Sequence, residues 1–382
     1  MKTFLLFAIH YLEVGGAERS LLGLLESLDY SRFEVDLFVY SHRGELMSAI
    51  PSRVHLLPEM PAYAQIERPI REILRDGHWR IALARMRAKR QYAAYARKYR
   101  PKDNTAVYSY ISRNVVNLLP EINPGKEYDI AVSYLMPHDY VLQKVRAKRK
   151  VAWIHTDYSQ VDIDTRLELP VWAGYDRIVS ISEDVTQSFL QKFPSLYEKM
   201  ILIPNTVPPE WVRQQAMALG PEEVGREMPR TPGRINLLSV GRFSHAKNYD
   251  NVPDICRRIR ATGLDVCWYL IGFGEEESLI RRKIQECGME DYVRILGKKE
   301  NPYPYMKACD IYVQPSRYEG SPMTVLEAQT LDKPVVLSAF PTARSLVKDG
   351  VDGRIVPMDN EGCADGIVTF IKDGNRFAFN AL

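Results

Sequence analysis

Ile235-Asn236-Leu237-Leu238-Ser239-Val240, followed by Gly241-Arg242-Phe243-Ser244-His245-Ala246-Lys247-Asn248, is the stretch on which the reading of the fold turns. The first six residues read as a buried strand. Gly241 then breaks it, and a polar turn leads toward a helical pattern. The first half of the chain opens in the same way, with Phe4–His10 and then Glu13-Val14-Gly15-Gly16-Ala17-Glu18-Arg19. Between these openings and beyond them, short β-rich runs alternate with helical patterns, which predicts parallel sheets wound with helices. The candidate strands of the first half are Thr3–Ile9, Phe33–Tyr40, Ile130–Tyr134, Lys150–His155 and Arg177–Ser182. Those of the second half are Ile235–Val240, Val266–Ile271, Val293–Leu296, Ile311–Gln314 and Pro334–Ser338.

At 382 residues the chain is too long for one ordinary core and suits two domains. Ile203-Pro204-Asn205-Thr206-Val207-Pro208-Pro209 and the polar segment that follows are rich in proline and glycine and lack periodicity. The expected division is therefore an α/β domain over 1–206, a linker over 207–233 and a second α/β domain over 234–382. Ligands of open α/β sheets collect outside the carboxyl ends of the strands, where both glycine turns fall. Two such domains facing each other would enclose a cleft.

Composition narrows the classes further. Hydrophobic residues make up 46% and charged residues 26%, as in a globular protein. The five cysteines lie in the second half without a C-x-x-C pair, so neither a zinc site nor a disulfide framework is indicated and a reducing cytoplasm fits. Met1–His10 carries a lysine and an apolar run, but it leads into a Gly-Gly turn and reads as a first strand rather than a signal peptide. No apolar run approaches a membrane span. The net charge of +3 hides a concentration, since Arg68–Lys102 holds twelve Lys or Arg against Glu72 and Asp76. Arg75, Arg80, Arg85, Arg87, Lys89 and Arg90 alternate there with Ile81, Leu83, Met86, Tyr92 and Tyr95, a basic helix with an apolar side suited to an anionic bilayer. A solvated basic face is the competing reading. No nucleic-acid recognition motif accompanies the charge.

The chemistry gathers in Arg317-Tyr318-Glu319-Gly320-Ser321-Pro322-Met323-Thr324-Val325-Leu326-Glu327-Ala328. Ser321 suits an N-cap and Pro322 the first helical position, so Gly320 to Thr324 would present backbone N–H groups to an anion. Glu319 would sit at the mouth of that site. Glu327 falls inside the helix and needs a partner such as a pair of sugar hydroxyls. Arg242 and Lys247, five apart in the turn after a strand, can neutralise a diphosphate from two sides. Gly15-Gly16 and Gly272-Phe273-Gly274-Glu275 let backbone approach a ligand, although the latter lacks the third glycine of a dinucleotide fingerprint. His155 ends a strand and can hydrogen-bond a substrate hydroxyl. Asp162-Ile163-Asp164 follows a polar loop rather than an apolar strand, so no metal is assigned to it.

In this order and spacing, Gly15-Gly16-Ala17-Glu18, Val240-Gly241-Arg242 through Lys247, Gly272-Phe273-Gly274-Glu275, and Glu319-Gly320 through Glu327-Ala328 resemble the family 4 glycosyltransferases, retaining enzymes of the two-domain GT-B fold. The resemblance implies transfer of a sugar, with a UDP-sugar as the expected donor, to a glycan or lipid-linked acceptor in surface polysaccharide synthesis. It assigns Arg242 and Lys247 to the nucleotide diphosphate and Glu327 to the ribose. Glu319, with Gly320, Ser321, Pro322, Met323 and Thr324, would reach the donor sugar and its phosphate. His155 would touch the sugar, Gly16 the phosphate or acceptor, Gly272 would let the backbone pass, and Leu296, Gly297 and Lys298 would frame the base. His155, Glu319, Arg242 and Lys247 are the expected catalytic set, with no cofactor and no metal. The expected location is cytoplasmic, with docking on the inner membrane face through Arg68–Lys102. A nucleotide-sugar epimerase of the same fold and a non-catalytic membrane-docking subunit are the competing readings. The long closing helix common in the family is not evident before Leu382.

Overall fold

The computed structural model of the chain describes residues 2–205, 207–320 and 322–373. Its contacts separate into two compact units, Met1–Thr206 and Val207–Leu382. Unit 1 contains β1 (Thr3–Ile9), β2 (Phe33–Val39), β3 (His55–Leu56), β4 (Tyr128–Ser133), β5 (Ala147–Ile154), β6 (Arg177–Ser180) and β7 (Met200–Leu202). They form one parallel sheet in the order β3-β2-β1-β4-β5-β6-β7. Unit 2 contains β8 (Ile235–Val240), β9 (Val266–Ile271), β10 (Val293–Gly297), β11 (Ile311–Gln314), β12 (Val335–Ser338) and β13 (Arg354–Val356). These are also parallel, in the order β10-β9-β8-β11-β12-β13. In each sheet the strand order reverses beside the opening strand, between β1 and β4 and between β8 and β11. That reversal is where an open α/β sheet leaves a crevice.

The strands of unit 2 are apolar on both faces because helices cover both. Leu237, Trp268, Leu270, Val313 and Val336 point into one core layer, while their neighbours Leu238, Tyr269, Ile271, Tyr312, Val335 and Leu337 point into the other. Burying each such side chain contributes about 1.5–3 kcal/mol, so the sheet is a rigid platform for the loops at its carboxyl edge.

Residues 207–233, expected as a linker, carry two short helices, Pro209–Gln215 and Pro221–Glu227, each opening on a proline. Their Val212, Val224 and Met228 are buried in the unit 2 core. The prolines read as linker residues are helix starters, since a first-turn proline gives up no intrahelical bond. The basic region is likewise different from its sequence pattern. The helix Trp79–Tyr99 turns Ile81 and Ala82 into the core, and Arg85 is buried with them, its guanidinium bonded to the carbonyls of Gln65 and Arg68. Tyr92 and Tyr95 are bonded to Asn104 and to the Ile163 carbonyl. Much of the apolar side expected to meet a bilayer therefore packs inside the protein, and Arg85 cannot serve as a surface cation.

Asp162 and Asp164 have structural partners. Asp164 caps the helix Thr165–Ala173, accepts from Tyr110 at 2.7 Å and pairs with Arg166 at 2.8 Å. Asp162 accepts from the Lys102 backbone N–H. Among the described residues no helix is long and apolar enough to cross a membrane.

Candidate functional site

The crevice between β8 and β11 is bridged by an ion pair. Lys247 leaves the short helical turn His245–Lys247 after β8, and its Nζ lies 2.6 Å from Glu319 Oε1 in the loop after β11. The pair is mostly enclosed, the side chains being 17% and 11% exposed. Gly241 makes this crossing possible, because a Cβ there would stand 2.9 Å from Lys247 Cε. Glu319 Oε1 also accepts from Gln314 Nε2 at 2.8 Å and Ser316 Oγ at 2.5 Å. Gln314 is held in turn by the Tyr312 hydroxyl at 2.6 Å. A hydrogen-bonded chain thus runs from inside the sheet to one carboxylate oxygen, and among the described residues Oε2 has no partner.

The loops themselves are pinned. Arg317 forks onto Asp250 at 2.9 and 2.8 Å, and its NH1 also donates to the His245 carbonyl, which clamps the Lys247 turn to the Glu319 loop. Gly272 and Gly274 lie at φ +154° and +155°, and their Cα atoms face the backbone of Gly241 and Phe243. These glycines let one loop pack on another, rather than only leaving room for a ligand. Arg242, in the turn that leaves β8, is exposed and among the described residues has no protein partner.

The helix after this loop is Met323–Thr330, with Pro322 in the N-cap position, one residue later than expected. Ser321 lies outside the described residues. Pro322 and Met323 are buried, and Thr324 Oγ1 reaches Gln314 Oε1 at 3.4 Å. Gly320 is half-buried beside Glu319, whose carbonyl accepts from Thr342 at 3.0 Å. Glu327 is 1% exposed, and its Oε1 accepts from the Tyr303 hydroxyl at 2.9 Å. Trp211 packs edge-on against Tyr303, with ring centroids 5.5 Å apart. Leu296 and Gly297 end β10 on the same edge of the sheet, and Lys298 Nζ stands over the Phe273 ring at 4.7 Å.

In unit 1 the corresponding edge carries Gly16, the first residue of the helix Gly16–Ser27, with Gly15 as its cap. A Cβ on Gly15 would meet Glu18 Oε2 at 2.1 Å, so the turn already holds a carboxylate of its own. Ser20 on that helix shares a 2.9 Å bond with the Tyr134 hydroxyl after β4 and donates to Asn205 Oδ1 at 2.7 Å. The Tyr134 ring lies 4.5 Å from His155, just past the end of β5. Burial, with His138 adding to it, pushes the His155 imidazole down to about 3. His155 is therefore neutral at ordinary pH, and among the described residues its buried Nε2 has no hydrogen-bond partner. A neutral imidazole with an unused nitrogen can exchange a hydrogen bond with a hydroxyl but cannot supply positive charge.

Sequence reasoning gathered Arg242, Lys247, Glu319 and Glu327 in unit 2 and His155 in unit 1, but missed their supports Tyr303, Gln314, Ser316 and Tyr134. Gln314 and Ser316 left a signal, two polar residues spaced two apart at the end of an otherwise apolar strand.

Among known proteins, the chain is similar to glycosyltransferases. Residues 225–378 match the family Glycosyl transferases group 1. The chain is 24% identical over 311 residues to the amylovoran biosynthesis glycosyltransferase AmsK of Erwinia amylovora, covering 72% of this chain and 76% of that protein. It is 26% identical over 200 residues to the N-acetylgalactosamine-N,N'-diacetylbacillosaminyl-diphospho-undecaprenol 4-alpha-N-acetylgalactosaminyltransferase of Campylobacter jejuni, covering 52% of this chain and 51% of that relative. Among solved structures, Anabaena Alr3699/HepE in complex with UDP-glucose superposes with a TM-score of 0.67 at 17% identity, over 98% of this chain and 91% of that one.

Proposed function

We propose that this chain, a glycosyltransferase whose residues 225–378 match the group 1 glycosyl transferase domain, moves a sugar from a UDP-sugar to a glycan or lipid-linked acceptor in surface polysaccharide synthesis, with retention at the anomeric carbon. Its two Rossmann-like α/β units are those of the GT-B class. The observation that carries the reading is the Lys247–Glu319 pair across the reversal of strand order, with Arg242 in the same turn exposed and without a partner among the described residues. Arg242 and Lys247 would take the diphosphate, Glu327 the ribose, and Leu296 to Lys298 the base. Gly320, Pro322, Met323 and Thr324, with Ser321 between them, would meet the donor sugar and its phosphate together with Glu319. Negative charge builds on the diphosphate oxygens as the glycosidic bond breaks, and fixed cations in an enclosed site stabilise it there. His155 would hydrogen-bond a sugar hydroxyl. The carboxylate of Glu18 over the Gly15-Gly16 turn favours a hydroxyl-bearing acceptor near Gly16 over a phosphate.

Supply of that positive field by side chains leads to an expected independence of metal. The full chain incubated with UDP-, GDP- and ADP-sugars in excess EDTA should release UDP from its donor. Release that stops in EDTA and returns with magnesium or manganese would overturn the metal-independent reading. Release of no nucleotide from any donor would overturn the transferase mechanism itself.

Docking on an anionic inner membrane face belongs to the same proposal. What supports it is a narrower set of residues than the sequence pattern gave. Trp79 and Leu83 are 59% and 53% exposed, and with Arg87 and Arg90 they follow one face of the helix at steps of four, four and three. An amphipathic stripe of this composition suits the headgroup boundary. The wild type should sediment with phosphatidylglycerol vesicles at low salt. With about 1 kcal/mol from each cation, changing Arg87 and Arg90 to Gln should weaken binding roughly 30-fold. Absence of binding by the wild type, or equal binding by the variant, would remove the membrane from the proposal.

A further inference from the structure

Unit 1 holds a cavity of about 230 Å³ that the donor machinery does not use. Its walls come from the helices Ala106–Val115, His138–Lys144 and Thr165–Ala173. Two carboxylates face into it, Asp139 and Glu168, each only 8% exposed. Carboxylates buried to this degree are ordinarily matched by a cation. Among the described residues neither forms an ion pair, and Arg113 on the same wall stays exposed. Neutral donors hold them instead. Ser112 Oγ gives a 2.6 Å bond to Asp139 Oδ2, Ser109 Oγ gives 2.8 Å to Glu168 Oε1, and Trp172 Nε1 and the Tyr158 hydroxyl give 3.2 and 3.5 Å to Glu168 Oε2. A carboxylate has about four acceptor positions, so this arrangement leaves acceptor capacity directed at the cavity.

Apart from these groups and the polar Gln143 and His138, the lining is mainly apolar, with Leu142, Leu167, Pro170 and Val171 as its accessible surfaces and the Trp172 ring buried behind them. Acceptors beside aliphatic walls suit a ring with hydroxyls on its rim and C–H groups on its faces. The volume suits a single ring. The cavity also stands next to the His155 corner. His138 lines it and bonds through Nδ1 to Ser133 Oγ at 2.8 Å, and the next residue, Tyr134, lies against His155.

We propose that this cavity is a carbohydrate subsite that takes one sugar ring of the acceptor, with Asp139 and Glu168 accepting hydrogen bonds from its hydroxyls and Leu142 and Pro170 lying along the ring. The proposal rests on the acceptor reading above. It places recognition of the acceptor in a built pocket of unit 1, reached from the side of β4 and β5.

The test uses the full chain without donor. Saturation-transfer NMR with the methyl α-glycosides of glucose, galactose, mannose and N-acetylglucosamine should give binding of at least one ring to the wild type. That signal should fall at least tenfold in Glu168→Gln, which keeps the shape of the side chain, and in Leu142→Phe, which fills the cavity without touching a polar group. Both variants should keep the thermal unfolding profile of the wild type, which establishes that unit 1 is folded, and their UDP affinity by calorimetry should be unchanged. Binding of none of the four rings by the wild type, or undiminished binding by both variants, would overturn the subsite. Competition by tetramethylammonium at equal concentration would overturn it in favour of a cation site. UDP release from a UDP-sugar reports on the transferase reading separately. Release that persists while ring binding is absent refutes the subsite alone, and loss of release refutes the reading beneath it.

Discussion

Lys247→Ala is expected to lower turnover on the UDP-sugar by roughly 10²–10³-fold, the usual loss when one preorganised donor to developing charge is removed. The expectation follows from where the residue sits. Lys247 Nζ is held in the crevice between β8 and β11 by Glu319, with little solvent to replace it. The folding cost should be about 3 kcal/mol, the low end for removing one partner of an enclosed pair, because Gln314 and Ser316 still donate to Glu319 Oε1 when the lysine is gone. For a unit of this size that is a melting shift of roughly 6–12 °C. Adding Glu319→Gln should recover part of the melting temperature and none of the turnover. Nucleotide release and a thermal melt on the two variants separate these effects. Turnover by Lys247→Ala within threefold of the wild type would remove the residue from the chemistry.

Gly272→Ala should have the largest effect on stability of any single methyl addition near the site. At φ +154° an L side chain is strained, and the new Cβ would stand 1.9 Å from the Gly241 carbonyl oxygen and 3.0 Å from the Phe243 ring. The obstacle is backbone, which cannot swing aside as a side chain can. The loop bearing Arg242 must move, at a cost of about 2–4 kcal/mol. Gly288→Ala is the control. Its φ is +63° and a Cβ there meets nothing within 4 Å, so only the left-handed penalty of roughly 1–2 kcal/mol applies. Urea unfolding of both variants gives the comparison, and equal costs would mean that the packing of the 272–274 loop on the 241–243 loop does not constrain this edge of the sheet.

The parts of the fold that were legible in the sequence are the parts set by burial. β1, β8, β9 and β11 begin and end where their apolar runs do. The strands that escaped notice, β3, β7 and β13, are two or three residues long and lie at the ends of the sheets, where one side has no partner strand and no apolar run is needed. The helices Pro209–Gln215 and Pro221–Glu227 were hidden by their own start signals, since a proline marks both a linker and a first helical turn. Arg85 was misplaced for a different reason. Its neighbours in sequence give no hint that the carbonyls of Gln65 and Arg68 converge on it, because that contact depends on how the chain before the helix folds back. At the candidate site, residue types revealed the charged groups and spacing revealed their loops. Tyr303 could not be paired with Glu327 from sequence, because 24 residues and β11 separate them.

The three bonds that converge on Glu319 Oε1 also have an entropic meaning. A glutamate side chain gives up as much as about 1.5–2 kcal/mol of rotamer freedom when it is fixed. Here that loss is incurred once, during folding, and does not recur with each encounter. A group that meets Oε2 finds the carboxylate already still. Arg242, exposed and without a partner among the described residues, is the opposite case, and whatever fixes it must bear the ordering cost each time. Within one crevice the two charges therefore divide the work between a permanent fixture and a mobile clasp, and the tightness of binding should respond to temperature chiefly through the clasp.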